Sequence, residues 1–236
     1  MATNPMHQFK VYRIGPEVEL SGVDLSFTNA SLFMVISTIT ILLIFNFGAK
    51  KNSLIPSKLQ LLGELSYSFI SKMISDTAGS KAKPYFPFIF SLFMFVLFCN
   101  MIGMLPYSFT VTSHIIVTLI LAIFIFIAVT IIGFIKHGFG YLKLFVPSGV
   151  PVVLLPLITV IEIISYLSRP VSLSVRLFAN MMAGHTMLKV FGGFVISLGL
   201  LGGWLPLSFS VALTGLEILV AFLQAYVFAI LTCIYL

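Results

Sequence analysis

The sequence predicts an all-α membrane protein with five crossings, one helix on the membrane surface and a C-terminal hairpin of two long, strongly tilted helices. Of its 236 residues, 59% are apolar and 8% are charged, whereas a soluble globular domain has about 25% charged residues. The apolar residues occur in runs of roughly 20, the length that a helix needs to cross a bilayer. Backbone polar groups within lipid must be satisfied inside their own segment, so these runs are expected to be helical. A water-soluble fold is excluded.

The chain begins with a polar tail, residues 1–30, which precedes the first predicted transmembrane helix over residues 31–48. The next segment, residues 55–78, has apolar residues recurring at spacings of three and four. Its opposite face is polar and charged, which is typical of a helix lying on the membrane surface. The apolar residues of this stripe are Leu59, Leu62, Leu65, Phe69 and Met73.

Residues 85–135 contain two further predicted spans, 85–105 and 115–135. They are joined by a short uncharged turn at residues 106–108, which predicts a tight transmembrane hairpin.

Lysines indicate the orientation of the chain. Six lie between the first and second spans, and two more follow the third: Lys50, Lys51, Lys58, Lys72, Lys81, Lys83, Lys136 and Lys143. Loops that face the cytoplasm or matrix carry an excess of Lys and Arg. The N-terminal tail is therefore expected outside and, after five crossings, the C-terminus inside.

The last predicted unit, residues 149–236, is a hairpin of two long helices. The 43 residues of 149–191 would form a helix of about 64 Å, against a hydrocarbon core of roughly 30 Å. A break at Pro170 leaves a very short connection, so we expect one bent, tilted helix. A turn is predicted at Gly192, Gly193, Gly199, Gly202 and Gly203, together with Pro206. The final helix is expected over residues 207–235.

Arg176 is the strongest single indication of function, because an arginine at the centre of a membrane helix costs about 2.5 to 3.5 kcal/mol on insertion scales. It lies in a stripe of polar and small residues at heptad and adjacent positions: Glu162, Ser165, Arg169, Ser172, Arg176, Ala179, Asn180 and Ala183. Small residues allow close approach of another helix. The stripe therefore predicts a contact surface for a partner that meets a buried charge. The alternative is packing within the chain.

A second set of polar residues is predicted where the two long helices face each other. If the hairpin is centred near Leu201, His185 and Glu217 are equally distant from it and become neighbours. By the same register, Arg176 lies opposite position 226, close to Gln224. A buried imidazole beside a carboxylate is suited to relaying protons. The alternative is a polar pair that only holds the helices together.

Other residues give weaker signals. Asn100, in the middle of the second span, and His114, at the start of the third, are lesser candidates for an aqueous path. Arg169 is expected to reach the interface or to pair with Glu162. No paired-cysteine metal spacing, nucleotide-binding loop or nucleophile elbow occurs in the sequence. Neither a metal, a cofactor, a nucleotide nor a nucleic acid is expected to bind.

Two segments carry a resemblance to a known family. Residues 172–185, SLSVRLFANMMAGH, and residues 217–226, EILVAFLQAY, resemble the signatures of subunit a of the F-type ATP synthase. Residues 113–118, SHIIVT, and the surface helix resemble the same family. The histidine precedes the carboxylate here, which resembles the α-proteobacterial and mitochondrial branch.

This resemblance implies a stator subunit that carries protons past a rotating ring of c subunits, coupling translocation to ATP synthesis. Arg176 would face the ring carboxylate and prevent a short circuit between two half-channels. The outer half-channel would contain His185 and Glu217, with Gln224 and Asn180 near the arginine and Glu162 toward the inner half-channel. The implied partners are the c-ring, peripheral-stalk (b-type) subunits and the lipid bilayer.

The resemblance also implies that the chain is no enzyme by itself and that protons, rather than sodium ions, are transported. A bacterial plasma membrane is slightly favoured over the mitochondrial inner membrane. Two other classes of function remain open from the residues: a secondary transporter, which predicts an internal repeat that the sequence lacks, and a structural membrane scaffold.

Overall fold

The computed structural model describes residues 9–16, 19–20, 23–24, 26–49, 57–105, 108–138, 140–141 and 154–235. Its main elements are six α-helices: α1 (Asn29–Ala49), α2 (Lys58–Ala78), α3 (Phe86–Gly103), α4 (Ile115–His137), α5 (Leu155–Gly202) and α6 (Trp204–Tyr235). Two short strands, β1 (Glu19–Leu20) and β2 (Val23–Asp24), pair in antiparallel fashion within the tail.

Five of these helices, all except α2, are long and apolar enough to cross a membrane. Their number and order confirm the predicted fold class, and the chain is a multi-pass membrane protein. Some residues on which the predictions of orientation and of the last hairpin rest lie outside the described residues: Lys50, Lys51, Lys143 and residues 149–153.

Helix α2 is amphipathic and is anchored at one end. Its N-cap is Ser57, whose hydroxyl accepts a hydrogen bond from the Gln60 amide at 3.4 Å, and it ends at Gly79, whose φ of 73° favours glycine. The first half of its apolar stripe is exposed. In the second half, Met73 of the stripe and the nearby Ile70 and Ile74 are buried against the other helices. An exposed apolar face next to an anchored end fits a helix that rests on a membrane.

Helices α3 and α4 lie within residues 85–135, where a tight hairpin is predicted, and each packs mainly against other helices. Within the described residues, α3 packs mainly against α6 and α1, whereas α4 packs against α5. Their connection includes a 3-10 helix at Val111–Ser113, while residues 106 and 107 of the predicted turn lie outside the description. The α6 surface that α3 meets includes small residues, since Ala221, Ala225 and Ala229 recur every four residues and are fully buried. The tight hairpin stays a prediction.

Helix α5 is one long helix that continues through Pro170, as expected, and it forms a hairpin with α6. The prediction that Gly192 and Gly193 belong to the turn was wrong, because both lie within α5. The chain reverses at Gly199, whose φ of 61° is a conformation that glycine adopts without strain. The turn therefore lies close to the centre assumed for the hairpin, and this position sets which residues of α5 and α6 face each other.

Candidate functional site

Arg176 lies on a face of α5 that no other described helix covers. Its side chain is exposed, as are Ser172, Ala179 and Ala183, and the other members of the stripe are partly exposed. The opposite face is buried against α4 and α6 through Leu173, Leu177 and Met181, among other residues. Packing within the described chain, the alternative given above, therefore does not account for the stripe. Among the described helices, the charge of Arg176 therefore lies on an open face of α5.

His185 and Glu217 meet across the α5–α6 hairpin. The imidazole Nε2 lies 3.5 Å from Glu217 Oε1, and the side chains are 13% and 5% exposed. The predicted proximity of these residues is confirmed. Neither carboxylate oxygen of Glu217 has a hydrogen-bond partner within the described residues. Native structures rarely leave buried polar atoms unpaired without a reason, so these oxygens mark Glu217 as a candidate functional group.

Two glycines allow this part of the structure to pack closely. A Cβ atom at Gly184 would lie 2.8 Å from Glu217 Oε1, so only glycine leaves the carboxyl group where it is. A Cβ atom at Gly103, the last residue of α3, would lie 2.8 Å from the Thr110 Cγ2 atom. The site is therefore assembled from α5, α6 and the connection between α3 and α4.

Thr110 belongs to the site although no sequence pattern predicts it there. Its hydroxyl lies 3.0 Å from His185 Nε2 and 3.0 Å from the carbonyl oxygen of Gly103. The residue belongs to an irregular connection, where no helical or strand periodicity indicates a facing side chain. Three hydroxyl residues clustered just before His114, namely Thr110, Thr112 and Ser113, were the available signal.

Asn100 and Gln224 are both buried and both face the interior of the bundle. Asn100 donates a hydrogen bond from Nδ2 to the carbonyl oxygen of Ala221 at 3.2 Å, across α3 and α6. Its Oδ1 atom and the Oε1 atom of Gln224 have no hydrogen-bond partner in the part of the chain described. These two amides, together with Glu217, place unpaired polar oxygens along the buried face of α6. The predicted pairing of Arg176 with Gln224 stays a prediction, as does the role of the partly exposed Asn180.

The other end of α5 carries a second polar group, which is less buried. Arg169 Nη2 lies 3.6 Å from Glu162 Oε1, and the side chains are 34% and 37% exposed. Of the two expectations for Arg169, pairing with Glu162 is the one confirmed. The Arg169 guanidinium also lies 5.8 Å from the ring centre of Tyr166, within the distance for a cation–π interaction.

Tyr166 connects this group to α4 through hydroxyl groups. The hydroxyls of Thr130 and Tyr141 each lie 2.8 Å from the Tyr166 hydroxyl. Thr130 donates its proton to the Phe126 carbonyl at 2.7 Å, so Tyr166 must donate to Thr130 and Tyr141 to Tyr166. Burial raises the pKa of Tyr141, and its hydrogen bond to Tyr166 raises it further. This series of hydrogen bonds fixes the position of Tyr166. The cation–π contact with the Tyr166 ring in turn fixes Arg169.

His114 occupies the N-cap position of α4 and is partly buried. Its ring stacks on Phe109 with centroids 5.1 Å apart, and Nε2 has no hydrogen-bond partner within the described residues. Burial lowers the pKa of this imidazole, although a hydrogen bond with the Phe9 backbone opposes the shift. The described residues contain no cluster of three or more His, Cys, Asp or Glu side chains suited to a metal ion.

Comparisons with known proteins agree with the resemblance seen in the sequence. The family model described as "ATP synthase A chain" matches residues 31–236. A protein named ATP synthase subunit a, from Pelagibacter ubique (strain HTCC1062), is 86% identical over 236 residues, which cover 100% of this chain and 97% of the relative. The protein of the same name from Chelativorans sp. (strain BNC1) is 58% identical over 242 residues, covering 100% of this chain and 97% of its own. That from Parvibaculum lavamentivorans is 57% identical, covering 99% and 92%.

Proposed function

This chain belongs to the ATP synthase A chain family, and from that premise we propose that it is the stator subunit that conducts protons past a rotating ring of c subunits. Family membership makes it a subunit a of the membrane sector, within an enzyme complex. The proposal adds the path: two half-channels that reach the ring at different points and are separated by Arg176. No covalent chemistry is assigned to the chain itself.

The observation that carries the proposal is the exposed position of Arg176 on the uncovered stripe of α5. A guanidinium at this depth is costly unless a negative charge lies opposite it. It cannot release its proton, so it acts as a fixed positive charge and not as a relay. A carboxylate on each ring subunit supplies the matching charge, and the small residues of the stripe let the ring helices approach closely.

Access from the outside is assigned to the buried pair of His185 and Glu217. A proton arriving at His185 is passed to Glu217, whose two carboxylate oxygens lack other partners in the described structure, and from there to the ring. The unpaired amide oxygens of Asn100 and Gln224 offer water-binding positions along the way. Once neutralised, a ring carboxylate enters lipid at little cost.

Release to the inside is assigned to the Glu162 end of α5. A protonated ring carboxylate that has rotated through the lipid meets this end last and gives up its proton there. Arg176 keeps each passing ring carboxylate ionised between the two half-channels, so protons cannot cross without rotation. A membrane potential supplies about 2.3 kcal/mol per charge per 100 mV to drive the cycle.

The same proposal includes the surroundings of the chain. Peripheral-stalk b-type subunits hold it against the ring, and a bacterial plasma membrane is its location, in keeping with the bacterial sources of the relatives compared. The distribution of lysines places the N-terminal tail outside and the C-terminus inside.

The test is ATP-driven proton pumping by membrane vesicles that contain the complete synthase. Arg176→Ala is expected to abolish pumping, because the fixed charge between the half-channels is lost. Val175→Ala, which changes an exposed apolar neighbour on the same helix, is the matched control and should pump normally. Normal coupled pumping by Arg176→Ala would overturn the proposal and return attention to a transporter or scaffold.

A further inference from the structure

We propose that Thr110 is a positioning residue that fixes the orientation of His185 and determines which of its ring nitrogens carries the proton. The inference rests on the proposed role of His185 in proton access. It concerns the hydroxyl that joins the imidazole to the end of α3.

The direction of the two hydrogen bonds follows from the donors available. Thr110 has one hydroxyl proton, and two atoms lie 3.0 Å from its oxygen: His185 Nε2 and the carbonyl oxygen of Gly103. A carbonyl oxygen only accepts hydrogen bonds, so the hydroxyl must donate to Gly103. His185 Nε2 must then donate to Thr110. The neutral imidazole is thereby held as the Nε2–H tautomer, and Nδ1 is left as its acceptor for an incoming proton.

The hydroxyl itself is held rigidly enough to do this. Thr110 is 4% exposed, and its carbonyl accepts hydrogen bonds from the Ser113 hydroxyl at 2.6 Å and the Ser113 amide at 3.2 Å. Its Cγ2 atom lies where a side chain on Gly103 would otherwise be. Backbone and side chain are therefore both fixed, and the rotamer of Thr110 has little freedom to change.

The consequence concerns the approach of His185 to Glu217. The Nε2–H group that Thr110 holds is also the group that lies 3.5 Å from Glu217 Oε1. Glu217 faces the His185 imidazole from α6. The charge of Lys189, one turn further along α5, also acts on the His185 imidazole. On its other sides the His185 ring contacts uncharged groups, namely the Thr110 hydroxyl and the ring of Phe9. At 3.5 Å, Glu217 Oε1 is beyond an ordinary N–H···O hydrogen bond, so among the described residues the Thr110 hydroxyl is the group that selects which nitrogen carries the proton.

The experiment measures the rate of proton uptake from the outer side as a function of pH, in vesicles containing the complete synthase. Thr110→Val keeps the shape of the side chain and removes the hydroxyl, so uptake should fall about fivefold or more, the effect of leaving buried groups unpaired. Doubly protonated imidazole also needs an acceptor for each N–H group. Half-maximal uptake should therefore move to lower pH.

Two control variants separate positioning from packing. Thr110→Ser keeps the hydroxyl and should retain uptake within about twofold of the original. Thr112→Val makes the same chemical change at a buried hydroxyl with no hydrogen-bond partner within the described residues, and should leave both rate and pH dependence unchanged. An unchanged pH dependence in Thr110→Val, or equal losses in Thr112→Val, would overturn the proposal.

A double-mutant cycle covers the case in which Thr110→Val assembles poorly. If Thr110 acts through His185, then adding Thr110→Val to a His185→Gln synthase should slow uptake per assembled complex no further. An additional loss of the same size would show that Thr110 acts by another route and would overturn the inference. Glu217→Gln in the same vesicles tests the proposed function itself. Normal uptake in Glu217→Gln would contradict the proposed proton path. Normal uptake in Thr110→Val together with reduced uptake in Glu217→Gln would contradict only the positioning role of Thr110.

Discussion

The two ends of helix α5 carry similar acid–base pairs in opposite settings. At one end His185 and Glu217 lie 3.5 Å apart on different helices and are 13% and 5% exposed. At the other end Arg169 and Glu162 lie 3.6 Å apart on the same helix and are 34% and 37% exposed. The distances are nearly equal, so burial and not proximity distinguishes the ends. A pair this exposed stabilises a soluble protein by about 0 to 1 kcal/mol.

The consequence of burial is different for each carboxylate. Glu162 is 37% exposed, and its charge is balanced by an arginine that never deprotonates. Glu217 is enclosed, its oxygens lack hydrogen bonds within the described residues, and its neighbour is a histidine that exchanges protons. The comparison teaches that an enclosed carboxylate with an exchangeable neighbour suits proton uptake, whereas an open pair with a fixed charge suits release.

The largest effect on this comparison is expected from Gly184→Ala. The new Cβ atom would lie 2.8 Å from Glu217 Oε1, and the carboxyl group, as the end of a flexible side chain, would move away from His185. Proton uptake should fall about tenfold, because small displacements of reacting groups are costly. Assembly should persist, since alanine favours a helix over glycine by about 1 kcal/mol. Uptake kinetics and the amount of assembled synthase provide the measurement.

Gly193→Ala is the matched control for that prediction. It makes the same change on the same helix, where a Cβ atom has nothing within 4 Å. It should leave uptake unchanged. Equal loss of uptake in both variants would show that alanine acts through helix α5 as a whole. It would contradict the claim that Gly184→Ala acts by displacing Glu217.

A smaller effect is expected at the exposed end from Glu162→Gln. Because this side chain is about a third exposed, water can take over part of its role, and ATP-driven pumping should fall by about threefold or less, within the range of a single solvated polar contact. The comparison variant is Glu217→Gln, the same chemical change in the buried setting, which should be clearly the slower of the two. A greater loss in Glu162→Gln would reverse the assignment of the two ends.

The sequence was sufficient for the helices and for the His185–Glu217 pair, for identifiable physical reasons. The length of each apolar run gives the length of the corresponding helix directly. The turn at Gly199 lies close to Leu201, the centre assumed for the hairpin, so positions 185 and 217, which are equally distant from Leu201, come together. Gly192 and Gly193 misled the prediction of the turn because glycine is tolerated within a helix when neighbouring helices and lipid leave it little alternative. Sequence alone does not show which glycine takes a positive φ.

Contacts made by irregular segments or by packing between distant helices could not be predicted. Thr110 reaches His185 from a connection without periodicity, and Tyr141 reaches Tyr166 from beyond the end of α4. The packing of α3 against α6 involves small residues of α6, which suit several partner helices equally well in the sequence. These contacts depend on tertiary packing, which the local sequence pattern does not predict.

The central claim is that protons pass through Glu217 before they reach the point where Arg176 separates the two half-channels. The most direct test is the passive proton permeability of vesicles that contain the complete synthase. Arg176→Ala is expected to leak, and Glu217→Gln alone to remain tight. The account predicts that Arg176→Ala combined with Glu217→Gln is again tight, whereas Arg176→Ala combined with Glu64→Gln, an exposed carboxylate on α2, still leaks. A leak of undiminished size in the Arg176→Ala/Glu217→Gln synthase would contradict the account.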